Sequence, residues 1–225
     1  CGLRYFWKWV EPMQPMDEVE VTDADRAKKE KWKELASEKG ARVHSYLELG
    51  NWVDLRAVFN ENVADSLVQQ LQDQLETTAK VYPEFGFEVP LNENEALVGM
   101  MDRLEIDSDQ KMIRVIDYKW TQGEKTPDEL LKDYQLQLQL YAWAASKMVA
   151  FEPKTIEATI LHITAGKIQS IALPSSELDL AQIENRVLEL HESSKKDRDP
   201  RLGEHCKFCE FKQQCSAFKS SPQIF

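Results

Sequence analysis

Asp102, Asp117 and Lys119 are the residues of this chain whose types and spacing could do chemistry together. Two carboxylates can share a hard divalent cation, preferably Mg²⁺, and a neighbouring ammonium group can orient a bound water or steady charge developing on phosphorus oxygens. Such a set suits phosphodiester hydrolysis, in which the cation polarises the phosphate and lowers the pKa of the water. An acid and a lysine on one strand edge are also what an exposed edge carries to stay soluble, so the elements around them have to decide.

Ala96 to Ile106 and Met112 to Lys119 read as strands joined by the polar turn Asp107-Ser108-Asp109-Gln110-Lys111. Period-two alternation then puts Asp117 and Lys119 on one face of the sheet and Tyr118 on the other. Gly99 precedes Asp102 by three residues. Upstream, Gly40-x3-His44 lies in a helical pattern from Ala24 to Leu49, where its two ends share a face; the glycine would allow close packing and bring the imidazole near the sheet. A lone helical histidine is more often structural than a ligand. Asp54 to Val81, with Leu55, Val58, Phe59, Val63, Leu67, Leu71 and Leu75, predicts one amphipathic helix. A strand follows over Tyr82 to Pro90. Of its acids, Glu88, beside Val89-Pro90-Leu91, is a better candidate than Glu84 to assist a metal, although a charged strand edge explains both.

Downstream, Trp120 to Lys125 reads as a turn, and Pro127, Asp128 and Glu129 open a helix that runs to about Val149. Gln137 and Tyr141 share a face of it and could reach a phosphate or a base; Leu136, Leu140 and Trp143 read as its core side. Lys154 to Ile163 and Lys167 to Leu173 predict a second hairpin. Ser175 or Ser176 is placed to cap a helix from Glu177 to about Ser194, and Lys195 to Arg201 reads as a linker.

The four cysteines are Cys1 and a terminal trio, Cys206, Cys209 and Cys215, spaced C-x2-C-x5-C. Four thiolates suffice for one [4Fe-4S] cluster or one zinc ion. A zinc ribbon usually presents two C-x2-C knuckles, so the spacing favours iron-sulfur over zinc, with disulfides third. Ligation across some two hundred residues would clasp the chain ends, 1–10 and 203–219, and close a very long loop.

At 225 residues the chain suits one domain over 1–225. Its net charge of -11 argues against indiscriminate nucleic-acid binding, yet leaves room for an enzyme whose basic residues line one groove. No apolar run has membrane-spanning length and no signal-peptide pattern occurs, so a cytoplasmic location is expected. Because the chain begins at Cys1 rather than methionine, residues upstream are expected to have been removed. There is no G-x4-G-K-[ST] loop, so any translocation along DNA would need a separate motor.

In order, Cys1, Gly40-x3-His44, Gly99-x2-Asp102, Asp117-Tyr118-Lys119, Gln137-x3-Tyr141 and the terminal cysteines make a sequence that resembles the PD-(D/E)xK nuclease superfamily. Within it, the resemblance is to the RecB-like branch that carries an iron-sulfur cluster, which includes the AddB nuclease domain and four-cysteine CRISPR-associated exonucleases. The resemblance implies an α/β fold with a central mixed β-sheet flanked by helices, restriction-endonuclease-like, its ends joined by a metal cluster. It implies His44, Asp102 and Asp117 as ligands of Mg²⁺ or Mn²⁺, helped by the Tyr118 carbonyl, with Lys119 as the catalytic lysine. Gln137 and Tyr141 would border the DNA, and Cys1, Cys206, Cys209 and Cys215 would hold a [4Fe-4S] cluster. Met101 stands where the superfamily name has proline, and Trp120, following the lysine, could alter how a strand enters. The expected activity is that of a DNA exonuclease on single-stranded or end-containing DNA, in recombination, repair or CRISPR adaptation, with a helicase or adaptation partner and no membrane. Two readings compete: a catalytically inactive DNA-binding or scaffold module of a helicase-nuclease complex, and a zinc-stabilised protein whose acids are surface groups. Intact His44, Asp102, Asp117 and Lys119 favour the enzyme.

Overall fold

The computed structural model describes residues 38–196 together with 202, 206, 209, 211 and 214–220. The expectations for Cys1, for 24–37 and for the linker after 196 lie outside the described residues. Two compact units divide the chain, one of Glu30–Glu184 and one of Cys1–Lys29 with Asn185–Phe225.

The larger unit holds a five-stranded sheet in the order β1 to β5, made of β1 (Lys80–Pro90), β2 (Ala96–Asp107), β3 (Met112–Trp120), β4 (Thr155–Ile163) and β5 (Ile168–Ala172). It is a mixed sheet: β3 and β4 run parallel, and every other neighbouring pair is antiparallel. A parallel pair needs a long crossover, which here is the helix Pro127–Met148. The predicted β2–β3 hairpin forms because Asp107 turns the chain: its Oδ1 accepts the N–H groups of Asp109 and Gln110 at 3.0 and 2.9 Å.

Helices cover both faces, as the sequence leads one to expect. On one side, α1 (described over 38–49), α2 (Trp52–Arg56) and α3 (Ala64–Leu75) bury Val43, Leu47, Leu55, Phe59, Leu67 and Leu71 against Ile116, Tyr118, Leu161 and Ile163. On the other, the crossover helix, α4, sets Leu130, Leu138 and Ala142 against Ala158, Ile160 and Ile171. Its start is fixed by a capping box in which Thr126 and Glu129 satisfy each other's backbone N–H, with Pro127 in the first turn.

Three local readings are corrected. The stretch from Asp54 to Val81 is not one helix: α2 ends at Arg56, α3 starts at Ala64, and Lys80 already belongs to β1. The break comes from a distant partner, since the Asn60 N–H donates to the Ala165 carbonyl at 2.8 Å in the β4–β5 turn. On α4 Leu138 is buried, whereas Leu136 is 39% exposed. After β5 the chain makes a short 3₁₀ turn (Ser175–Glu177), and the helix α5 (Leu180–Lys196) is capped by Asp179, whose Oδ1 accepts from Ala181 and Gln182.

Of the smaller unit, Cys206 is buried, Cys209 and Cys215 are half-buried, and no disulfide joins them. The Cys209 N–H donates to the Cys206 carbonyl at 3.2 Å, and the Cys215 N–H to that of Phe211 at 3.1 Å, just ahead of the short helix α6 (Ser216–Ser220). No helix among the described residues is long and apolar enough to cross a membrane.

Candidate active site and metal centre

Three carboxylates stand abreast on β1, β2 and β3. The β2–β3 register ends at Arg103↔Ile116, so Asp102 comes opposite Asp117 one step further on. The β1–β2 register runs through Pro83↔Arg103 and resumes at Phe85↔Met101, which places Glu84 opposite Asp102 where the pairing lapses. Glu84 adopts a φ of 43°, in the left-handed region that costs a non-glycine residue about 1–3 kcal/mol.

His44 comes to this row from α1. Its Nε2 lies 2.9 Å from the Tyr118 carbonyl, which can only accept, so Nε2 carries the hydrogen. The other ring nitrogen, Nδ1, is thereby left facing Asp102 Oδ1 at 3.5 Å and Glu84 Oε1 at 4.0 Å. Burial lowers the His44 pKa, but the hydrogen bond and charge of Asp102, with the Tyr118 carbonyl, outweigh it and raise the pKa overall. Asp102 is itself held by the Tyr118 N–H, which donates to Oδ2 at 2.6 Å. Burial and the charge of Asp102 raise the pKa of Glu84.

Asp117 and Lys119 share a face, as period two requires, while Tyr118 points the other way into the core. Lys119 Nζ donates to Asp117 Oδ1 at 2.8 Å and stands 2.7 Å from the buried Oδ2, so one ammonium group is paired with both oxygens. Burial is the chief cause of an Asp117 pKa pushed up to about 6, against the opposing pull of Lys119 and with the repulsion of Asp102 added. This is a carboxylate held ready for more positive charge than the protein gives it.

The donor set fits a divalent cation. One atom each from His44, Glu84 and Asp102 lie within 4.8 Å of one another, a trio not repeated among the described residues; Asp117, across the β2–β3 register from Asp102, is not part of it. Carboxylate oxygens with one imidazole suit Mg²⁺ or Mn²⁺ better than a thiophilic metal. Of the two glutamates on β1 it is Glu84 that joins the trio, whereas Glu88, the one ranked first from the sequence, is exposed on the strand and stands outside it. The signal for Glu84 lay in register rather than in its neighbours along the chain.

Gln137 and Tyr141 are joined by a 2.8 Å hydrogen bond on α4. Tyr141 packs edge-on against Phe87 of β1, with ring centroids 5.9 Å apart. The Phe87 ring lies over Gly99, where an added Cβ would come within 2.5 Å of it. The glycine before Asp102 thus makes room for the ring that buttresses Tyr141. Gly40 has no such role, because a Cβ there would meet nothing within 4 Å. It lines, with Ala41, His44, Ser45, Glu48 and Glu84, a cavity of about 460 Å³ at the edge of the trio. Trp120 packs against the core on the α1–α3 side, the face opposite Lys119.

A family model described as the PD-(D/E)XK nuclease superfamily matches residues 3–216. The chain belongs to that superfamily. PD-(D/E)XK nucleases usually use divalent metals, and the mixed sheet flanked by helices is their restriction-endonuclease-like fold. Among solved structures, SSO0001 is 22% identical, with 79% of this chain and 81% of that one covered and a TM-score of 0.45. A protein from Eubacterium rectale described as "Putative exonuclease" is 13% identical over 99% of this chain and 92% of its own, with a TM-score of 0.48. No curated protein matches the sequence.

Proposed function

We propose that this PD-(D/E)XK protein is a metal-dependent DNA nuclease of the RecB-like branch, an exonuclease on single-stranded DNA or DNA ends that works in recombination, repair or CRISPR adaptation. The observation that carries this reading is the convergence of His44, Glu84 and Asp102, from three separate elements, beside the Asp117–Lys119 pair.

His44, Glu84, Asp102 and Asp117 would hold Mg²⁺ or Mn²⁺, and a bound ion supplies Lewis acidity toward the phosphate and toward water. The chain's own groups do the rest. His44 offers Nδ1 because the Tyr118 carbonyl occupies Nε2, and the Tyr118 N–H fixes the carboxylate of Asp102. Lys119, 19% exposed and anchored on Asp117, presents an ammonium group to negative charge developing on the phosphate. Gln137 and Tyr141 hold one another at the border of the site, where a strand of DNA would pass.

Labelled single-stranded DNA incubated with Mg²⁺ or Mn²⁺ tests this directly. Wild type is expected to cleave, while Asp117→Ala and Lys119→Ala are expected to lose cleavage. Cleavage surviving both substitutions would refute the site, and no cleavage with either metal would favour a binding module.

The terminal cysteines belong to the same reading: Cys206, Cys209 and Cys215, with Cys1, would hold a [4Fe-4S] cluster that fastens the ends of the chain. Anaerobically purified protein is then brown and carries about four irons per chain. Colourless protein with stoichiometric zinc would remove the cluster and leave the nuclease.

A further inference from the structure

The strongly acidic chain has to hold a polyanion, and the described cations near the site are not scattered. Lys119 Nζ lies 4.9 Å from the centroid of the Tyr134 ring, and Lys125 Nζ lies 5.9 Å from the same centroid. Two ammonium groups therefore share one aromatic platform. Tyr134 cannot drift, since it packs on the α4 side of the core with Leu130 and Leu138, and the capping box at Thr126 fixes the helix that carries it.

The loop between Lys119 and Lys125 is fixed from below. His162, only 1% exposed, lies beside Lys119 in the β3–β4 register and has its Nε2 2.7 Å from the Thr121 hydroxyl, which also contacts the Gly123 carbonyl. The side chain of Lys125 is 37% exposed and reaches Asp133 at 2.7 Å. Asp133 is 47% exposed, so this is a surface pair of small worth that an incoming phosphate can replace. Lys119 already has its task at the scissile phosphate; Lys125, on the same ring and open to solvent, faces what lies next along the strand.

We infer that Lys125, held on Tyr134 beside Lys119, is a second phosphate-binding site that grips the phosphodiester next to the one being cut. The inference rests on the nuclease reading above. Its ligand is a backbone phosphate of single-stranded DNA, and its contribution is to affinity and register, independent of base sequence.

The test measures equilibrium binding of a fluorescent single-stranded oligonucleotide over a range of salt, with chelator present so that the strand stays intact. Each neutralised phosphate of a single strand adds about 0.7 to the slope of log affinity against log salt. Lys125→Ala is expected to lower the slope by about that amount on every sequence tried, and Lys125→Arg to restore it. Asp133→Asn, which frees Lys125, is expected to keep the slope and bind as tightly as wild type or more so. Lys154→Ala, at the far end of β4, is expected to keep the slope as well. An unchanged slope in Lys125→Ala overturns the inference, as does an equal fall in Lys154→Ala, which would make the effect one of overall charge. Melting temperatures show whether each variant is folded; the arginine variant keeps the test valid should alanine weaken the fold. Cleavage by wild type is scored separately, so a protein that never cuts but loses slope at Lys125 fails the nuclease reading alone.

Discussion

Glu84 and Asp102 face one another across the β1–β2 ladder at the step where its pairing lapses, with Glu84 in a left-handed backbone conformation. Burial and the neighbouring charge of Asp102 make ionised Glu84 costly, and a cation between the two acids removes that cost. Glu84→Gln is therefore expected to weaken Mn²⁺ binding on the order of 10–100-fold, the range seen when groups supporting a metal are lost. Glu88→Gln is expected to leave it unchanged. Isothermal titration of both variants decides between them; equal losses would return Glu88 to the site.

Asp117 gives the pH dependence. Its pKa rises from an ordinary value near 3.8 to about 6 in the fold, so the folded state binds the extra proton between those limits. Metal-free protein should then become more stable as pH falls from 7 toward 5, by on the order of 1 kcal/mol from this group. Asp117→Asn should flatten that part of the profile and be the more stable protein at pH 7, while losing cleavage. His44, whose pKa is also raised, adds stability in the same direction as pH falls. Thermal melts with chelator at several pH values measure both.

The same protons compete with the metal. Cation affinity should fall about tenfold or more between pH 7.5 and 5.5, because Asp117 and His44 must be deprotonated to bind. Fluorescence or calorimetric titration with Mn²⁺ at the two pH values checks this; a flat response would mean that neither group is a ligand.

Gly99 should tolerate no side chain. Gly99→Ala puts a Cβ where the Phe87 ring now lies, and overpacking of this kind costs about 1–3 kcal/mol. The ring's shift should also release Tyr141 and lower cleavage beyond the loss of folded protein. Denaturant unfolding alongside kcat at saturating DNA separates the two effects.

The hairpin that carries Asp102 and Asp117 was legible in the sequence because strand alternation and the Asp107 turn are local properties. The shared face of Asp117 and Lys119, and of Gln137 and Tyr141, followed from the same periodicities. The break between α2 and α3 was not legible. Leu55, Phe59, Leu67, Leu71 and Leu75 all point into one core, so helical spacing persists through a turn that a distant carbonyl creates. Glu84 was ranked behind Glu88 for a like reason, since its place beside Asp102 is set by cross-strand register. On α4, Leu136 and Leu138 read alike along the chain, and only the packing of α4 on the sheet chose between them. Leu138→Ala should cost about 2–5 kcal/mol and Leu136→Ala no more than about 0.5, as urea denaturation would show.

The burial of the Asp117 carboxyl has an evolutionary consequence. A side chain that weakens its own fold whenever it is ionised persists under natural selection only for the task it performs. In a descendant that had given up hydrolysis, asparagine at that position would keep an oxygen for Lys119 without the buried charge, and drift would favour it early. The left-handed step at Glu84 would relax by the same route. An idle copy of this gene is thus expected to lose its acids well before its leucines.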